Sequence, residues 1–307
     1  MSFQENKQYY TLLCMTMFFW GITWPVAKIL VAIAPPMTIG FFRFLIAFIL
    51  FIPVFLYTYS SRKPANKSLS YSLSRFAALG FVGMFGYGVF FLIGMNYTTA
   101  AQGSIIAGVN PVSVSLAAHI MHGERLPDRW RYWGFPLSFI GVVFVIGVQS
   151  LIEFQPEYLF GNLLVLSAMI CMGVYSSLGK RVMKYHSSLE TTMGGCFFGM
   201  IFFGITASTE QFWTLNVLLE PVFWSGILVL GGLASFLGFF FYLHAIRKIG
   251  ATNSGIFINL VPVVGTLSSA ILLQEPIYWT FIVGLIFISA GIFLINFPST
   301  NSSDKNL

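Results

Sequence analysis

The sequence predicts an all-α polytopic membrane protein, with ten transmembrane helices built as two inverted five-helix repeats and both termini cytoplasmic. Three observations carry that expectation. Of 307 residues, 57% are hydrophobic and only 8% are charged, against about 25% charged in soluble domains; the mean hydropathy is +0.81. The apolar residues gather in runs near the roughly 20 residues that a helix needs to cross a bilayer core. The basic residues fall in alternate loops. A transmembrane β-barrel would instead need short alternating segments around a polar interior, and the sequence has neither.

The apolar runs are 9–30, 37–57, 74–95, 100–122, 130–149, 159–178, 189–208, 222–245, 251–273 and 278–297. The first is too long for a signal-peptide core and no small-residue cleavage site follows it, so it is read as a retained span. It carries Trp20-Gly-Ile-Thr-Trp24-Pro25-Val-Ala-Lys28. Trp20 and Trp24 share a helical face. An indole N–H in hydrocarbon needs an acceptor, which makes both candidate cavity residues, although Trp24 could be an interfacial anchor alone. Lys28 is expected to snorkel to the interface. In the second run Arg43 lies about six residues in from Met37, roughly 9 Å deep. A charge there is read as a snorkelling or hydrogen-bonded tie, or as a group that engages a substrate anion.

Tyr87 and Phe91 share a face of the third run with Gly83 and Gly94. Tyr175 is inside the sixth. Ser235, Gly238, Tyr242 and Ala245 share a face of the eighth, and His244 lies near its inner end. The fourth run carries a stripe of Ser104, Gly108, Pro111, Ser115, Ala118 and His122, and the ninth repeats it with Gly255, Asn259, Pro262, Thr266, Ser269 and Glu275. Such stripes serve close helix packing. Pro111 and Pro262 could also free mid-membrane carbonyls to face a cavity, with Asn110 and Asn259 supplying donors and acceptors. Cys14, Cys171 and Cys196 sit in apolar runs without metal-type spacing and are read as small hydrophobes.

Charge placement sets the topology. With Lys7 inside, fourteen of the sixteen Lys and Arg residues fall on the cytoplasmic side, leaving Lys28 and Arg43, while Glu153, Glu157, Glu210, Glu220 and Glu275 collect outside. At an offset of 151 the window 79–124 matches 230–275 at twelve of 46 positions, among them Gly80/Gly231, Pro111/Pro262 and Glu124/Glu275. Five helices per repeat invert the second copy, so Glu124 faces the cytoplasm and Glu275 the outside, as the loop charges require independently. Residues 1–150 form the first repeat, 151–298 the second, and 299–307 a polar cytoplasmic tail. Inverted repeats of this kind are a mark of secondary transporters, with substrate sites near the midplane.

Over Trp20–Lys28, at Arg43, and at Pro111…Gly123-Glu124-Arg125-Leu126 and Pro262…Glu275, the chain resembles EamA-type members of the drug/metabolite transporter superfamily. The resemblance covers essentially the whole chain. It implies ten helices, a central cavity lined from both halves, and movement of small metabolites, often outward. Its motif positions correspond to Trp20, Pro25, Lys28, Arg43, Pro111, Glu124, Pro262 and Glu275. The second half departs from the pattern: the counterpart of Arg43 falls near Gly195, so Arg43 is expected to do a job needed once.

The expected function is therefore a plasma-membrane secondary transporter or exporter of amino acids or similar amphipathic solutes, working by alternating access. The expected substrate-binding residues are Trp20, Trp24, Arg43, Tyr87, Phe91, Asn110, Tyr175, Tyr242, His244 and Asn259. Pro25, Pro111, Pro262, Gly108, Glu124 and Glu275 are expected to be structural or hinge positions. No Asp or Glu lies mid-segment, which argues against a carboxylate proton relay, and no nucleotide-binding or nucleophile motif is present. No enzyme activity, cofactor or metal is expected. The partners are a small-molecule substrate and the lipid bilayer, not nucleic acid; the oligomeric state is not set by the sequence, and a monomer is compatible with it. Two other readings are a membrane-embedded metal-dependent enzyme using His119 and His122, which stand three apart, and a lipid translocator.

Overall fold

The computed structural model describes residues 3–59, 69–123, 128–145, 156–249 and 257–295, and all regular structure among them is helical. The helices follow the apolar runs in order. They are α1 (Phe3–Ile33), α2 (Pro36–Tyr59), α3 (Leu69–Leu79 and Tyr87–Tyr97 around a π-helical Gly80–Gly86), and α4 (Ala100–Ala107 and Asn110–His122). Next come α5 (Gly134–Val143, after a 3-10 turn Arg129–Trp133), α6 (Pro156–Val182) and α7 (Ser188–Thr209). Last are α8 (Pro221–Ile227 and Phe239–Ile249 around a π-helical Leu228–Gly238), α9 (Leu260–Leu273, after a 3-10 turn Phe257–Asn259) and α10 (Trp279–Ile295). Six of them are long and apolar enough to cross a membrane by themselves, the two pieces of α4 are bent by 40° at their break, and the described parts of α9 and α10 are shorter. Large apolar side chains also cover the outside, Ile120, Trp133, Ile271 and Ile286 among them. A surface of that kind faces lipid rather than water.

The two halves pack as inverted copies of one another. The pairing of α1 with α9 is answered by α6 with α4, and that of α2 with α8 by α7 with α3. The π-helical stretches occupy matching places: adding 151 carries Gly80–Gly86 onto 231–237, inside Leu228–Gly238. Close backbone approaches match too. A Cβ on Gly231 would lie 2.6 Å from the Arg43 carbonyl oxygen, and one on Gly80 would lie 2.9 Å from the Gly195 carbonyl oxygen. Arg43 and Gly195 are themselves counterparts, at an offset of 152. Glycine lets these helix backbones touch, and in lipid, close van der Waals contact replaces the hydrophobic drive that packs soluble helices.

Helix ends are tied by side chains from the other repeat. The Glu275 carboxylate accepts hydrogen bonds from the backbone N–H groups of Ala100 (2.9 Å) and Ala101 (2.8 Å) at the start of α4. The Glu210 carboxylate does the same for Met37 (3.1 Å) and Thr38 (2.7 Å) at the start of α2. These N–H groups lack partners within their own helix, and the positive end of the helix dipole favours an anion there. The Lys28 ammonium donates to the carbonyls of Met95 and Thr98, both at 2.7 Å. The end of α3 offers orphan carbonyls and negative potential closer than water does. Beside it, Thr98, Gln102 and Asn162 form a buried hydrogen-bonded cluster, with Asn162 Nδ2 donating to Gln102 Oε1 at 2.8 Å. Glu124 lies outside the described residues.

The two prolines start helices instead of breaking them. In α4 the interruption falls at Gly108 and Val109, and Pro111 takes the first turn of the second piece, where its missing N–H costs nothing. Pro262 stands in the first turn of α9, just after the 3-10 turn. The stripe expected on α4 divides at the same point. Its first part is a packing seam: Ser104 Oγ lies 3.3 Å from Thr266 Oγ1 of α9, and a Cβ on Gly108 would meet Pro262 at 3.1 Å. The Ala100–Ala107 piece packs foremost on α9, and also on α1, α6 and α10, whereas Asn110–His122 packs foremost on α6 and makes no comparable contact with α9. The bend thus separates α4 from α9, leaving space between the halves at mid-bundle. Of the cysteines, Cys196 is buried and Cys14 lies on the exterior of the bundle.

A candidate solute cavity between the repeats

A cavity of about 100 Å³ lies at the level of the α4 break, walled by α1, α2, α3 and α4 of the first repeat and α6, α8 and α9 of the second. Of the ten residues expected in the site, six line it: Trp20, Trp24, Arg43, Tyr87, Asn110 and Tyr175. Their neighbours in the wall are mostly apolar: Phe44, Met84, Met169, Met172, Phe239, Ile258 and Val261. Four expected residues are placed otherwise. Phe91 is wholly buried behind the wall. Tyr242 packs against Trp20 at a centroid distance of 5.2 Å, outside the cavity. His244 is exposed and faces the rings of Tyr9 and Phe240. Asn259 closes the 3-10 turn before α9, and its side chain lies outside the described residues.

Phe91 positions three wall residues at once. It stacks on Tyr87 (5.7 Å, 6° between planes), meets Trp24 edge-on (4.9 Å), and takes the Arg43 guanidinium over its face at 5.8 Å. Arg43 also lies 5.3 Å from the ring of Phe44. Such cation–π contacts ease the burial of a charge without neutralising it. On the opposite side, α8 holds the wall through its π-helical stretch. Shifted hydrogen bonding in a π-helix frees carbonyls for other donors: the Trp20 indole donates to Ala234 O at 3.0 Å, and the Ser235 hydroxyl donates to Leu230 O at 2.8 Å. The same hydroxyl accepts from Arg43 Nε at 3.0 Å. The α8 face of Ser235, Gly238, Tyr242 and Ala245 is therefore a seam to α1 and α2.

Two buried polar atoms of the wall have no partner, Arg43 Nη1 and Asn110 Oδ1. Arg43 is only 6% exposed. An unmet donor and an unmet acceptor in a largely apolar cavity are what a polar ligand would complete. The methionines of α3 and α6 gave no signal in the sequence, because one Met in an apolar run looks like any lipid-facing residue. Only their convergence marks them.

The two histidines three apart have different neighbours, and Glu124, the third residue of the metal reading, lies outside the described residues. His122 Nε2 lies 3.0 Å from the Ser177 carbonyl and its Nδ1 accepts from Arg181 at 3.4 Å, while the His119 ring packs against Tyr132. Among the described residues no group of three His, Cys, Asp or Glu is placed to hold a metal ion.

An apolar-surfaced bundle of inverted repeats around a mid-depth cavity defines a membrane-transport architecture. The sequence comparisons bear on this directly. The model of the EamA-like transporter family matches residues 7–147 and again 159–297, and the chain belongs to that family. It is 26% identical over 308 residues to the uncharacterized transporter YyaM of Bacillus subtilis (strain 168), covering 98% of this chain and 99% of that one. An uncharacterized transporter of Archaeoglobus fulgidus is 25% identical over 290 residues, covering 92% of this chain and 97% of its own. A probable terminal-alkyne amino-acid exporter of Streptantibioticus cattleyicolor is 26% identical over 226 residues, or 73% of each chain. A solved crystal structure superimposes with a TM-score of 0.63 at 18% identity, over 94% of this chain and 96% of its own. That likeness speaks to the fold.

Proposed function

We propose that this protein is a secondary transporter that exports small amphipathic metabolites, amino acids or solutes like them, across the plasma membrane by alternating access. The observation that carries the reading is the cavity itself. It lies where the two repeats meet, both contribute to its wall, and it combines aromatic and thioether surface with two unmet polar atoms. Its size suits a small solute, since one water-sized group takes roughly 10–15 Å³, which disfavours a lipid as cargo. The exporter among the relatives lends support for an amino-acid cargo. Both termini are placed in the cytoplasm on the strength of the basic loops.

Purified protein in liposomes loaded with unlabelled amino acids should take up the same labelled amino acid by counterflow. The uptake should collapse when the cavity is blocked by Gly83→Leu, since a side chain there would enter the ring of Tyr175. Because no Asp or Glu among the described residues lines the cavity, transport should follow the solute gradient alone. Accumulation driven by an imposed pH gradient would refute that part, and absence of counterflow across a broad metabolite panel would refute the whole.

A further inference from the structure

We infer that the cavity recognises its solute by a carboxylate, held at Arg43, and that an amino group on the solute is dispensable. The inference rests on the transport reading above and narrows it to amphipathic monocarboxylates. Three observations combine. First, among the described residues Arg43 is the one charged residue lining the cavity; its Nε is committed to Ser235 and its guanidinium also bonds the Tyr87 side chain, while Nη1 is buried without a partner. A guanidinium in that state favours a planar anion able to accept charge-assisted hydrogen bonds.

Second, packing does not need the arginine. The pseudo-symmetric crossing of α3 with α7 places Met84 beside Gly195, and these are the counterparts of Ser235 (offset 151) and Arg43 (offset 152). There the closest approach is apolar, with a Cβ on Gly195 meeting the Met84 side chain at 3.4 Å. The same helix crossing is thus built once with an ion and once without. Burying a charge that the fold can dispense with is costly, and a ligand that uses the charge gives a reason for it.

Third, among the described residues no acidic side chain lines the cavity to meet an ammonium group. A monocarboxylate neutralises Arg43 and leaves the site uncharged, whereas a zwitterion brings a second cation whose resources are the Asn110 carbonyl and ring faces. The apolar body of either solute has the same wall available. Met84, Met169 and Met172 supply flexible, polarizable surface that fits many shapes, so the carboxylate is left as the common handle.

The test uses wild-type protein in detergent at pH 7.5 and a series with one isobutyl-bearing body: leucine, 4-methylpentanoate, 4-methylpentanamide and 3-methylbutylamine. Binding is read from the intrinsic fluorescence of Trp20 and Trp24 in the wall and from thermal stabilisation. The expected result is that 4-methylpentanoate binds at least about tenfold more tightly than its amide, that it binds no more weakly than leucine, and that the amine does not bind. With Arg43→Gln the acid and the amide should come within about threefold of each other; should that variant fail to fold, the wild-type series decides alone. Equal binding of acid and amide would overturn the inference, as would leucine binding far more tightly than 4-methylpentanoate. If counterflow works while the series shows no preference for carboxylate, the transport reading stands and the inference falls. If nothing in the series binds and nothing in a wider panel moves, the transport reading falls with it.

Discussion

Gly231→Ala should lower the thermal midpoint of the purified protein by about 2–5 °C, the shift expected when overpacking costs about 1–3 kcal/mol in a chain of this size. The added Cβ would lie 2.6 Å from the Arg43 carbonyl oxygen, and 3.2 Å from Ile46 Cβ. Both contacts belong to the body of α2, so no flexible side chain can swing clear. α8 would have to retreat from α2, which would also stretch the bond between Arg43 Nε and Ser235. Gly80→Ala should do the same at the pseudo-symmetric crossing, where Phe198 Cβ at 2.5 Å and the Gly195 carbonyl at 2.9 Å stand in the way. Gly179→Ala meets nothing within 4 Å and serves as the control. Differential scanning fluorimetry on the three variants reads the result. Equal midpoints for Gly231→Ala and Gly179→Ala would show that these crossings have slack that the structure does not contain.

Glu275→Ala should unlatch one end of the transporter. The variant strips the acceptors from two N–H groups of α4 and removes a carboxylate from its positive end. An unmet buried donor costs about 1–3 kcal/mol, and each 1.4 kcal/mol shifts a two-state balance about tenfold. Because the carboxylate belongs to the second repeat and α4 to the first, the loss falls on the contact between repeats. A cysteine placed at Ser104, in the seam between α4 and α9, reports the opening in a background with Cys14, Cys171 and Cys196 replaced. Its labelling by a membrane-impermeant maleimide should accelerate about tenfold in Glu275→Ala and stay unchanged in Glu220→Ala, since Glu220 is exposed and makes no capping bond. Indistinguishable rates in the two variants would reduce Glu275 to a local helix cap.

Much of the fold could be read from residues alone because membranes impose strict rules. A span must be apolar over its length, and a repeat leaves matched residues at a fixed offset, so the order of helices and the inverted duplication followed from composition, loop charge and the pairing of Gly80 with Gly231. Six cavity residues were legible for a similar reason. Trp20, Trp24, Arg43, Tyr87, Asn110 and Tyr175 are each out of place in hydrocarbon, and polarity within an apolar run is a visible anomaly. The same rule misplaced Tyr242 and His244, because a polar tip on a helix can equally face a seam or the exterior, and the one-dimensional pattern does not say which.

Returning to the stripe on α4, the sequence placed its small residues on one face but could not divide their duties. Tertiary structure did so through the break at Gly108 and Val109, which sends Ser104 into the seam with α9 and Asn110 to the cavity. It also gave the Lys28 ammonium its carbonyl partners at the end of α3, and brought Met84, Met169 and Met172 together. By itself the sequence determined a duplicated, inverted membrane bundle with one unmatched arginine. Which atoms of that bundle stay unsatisfied, and so face a solute, was decided by how the helices cross, since a hydrogen bond depends on neighbours distant in the chain: Arg43 and Ser235 are 192 residues apart.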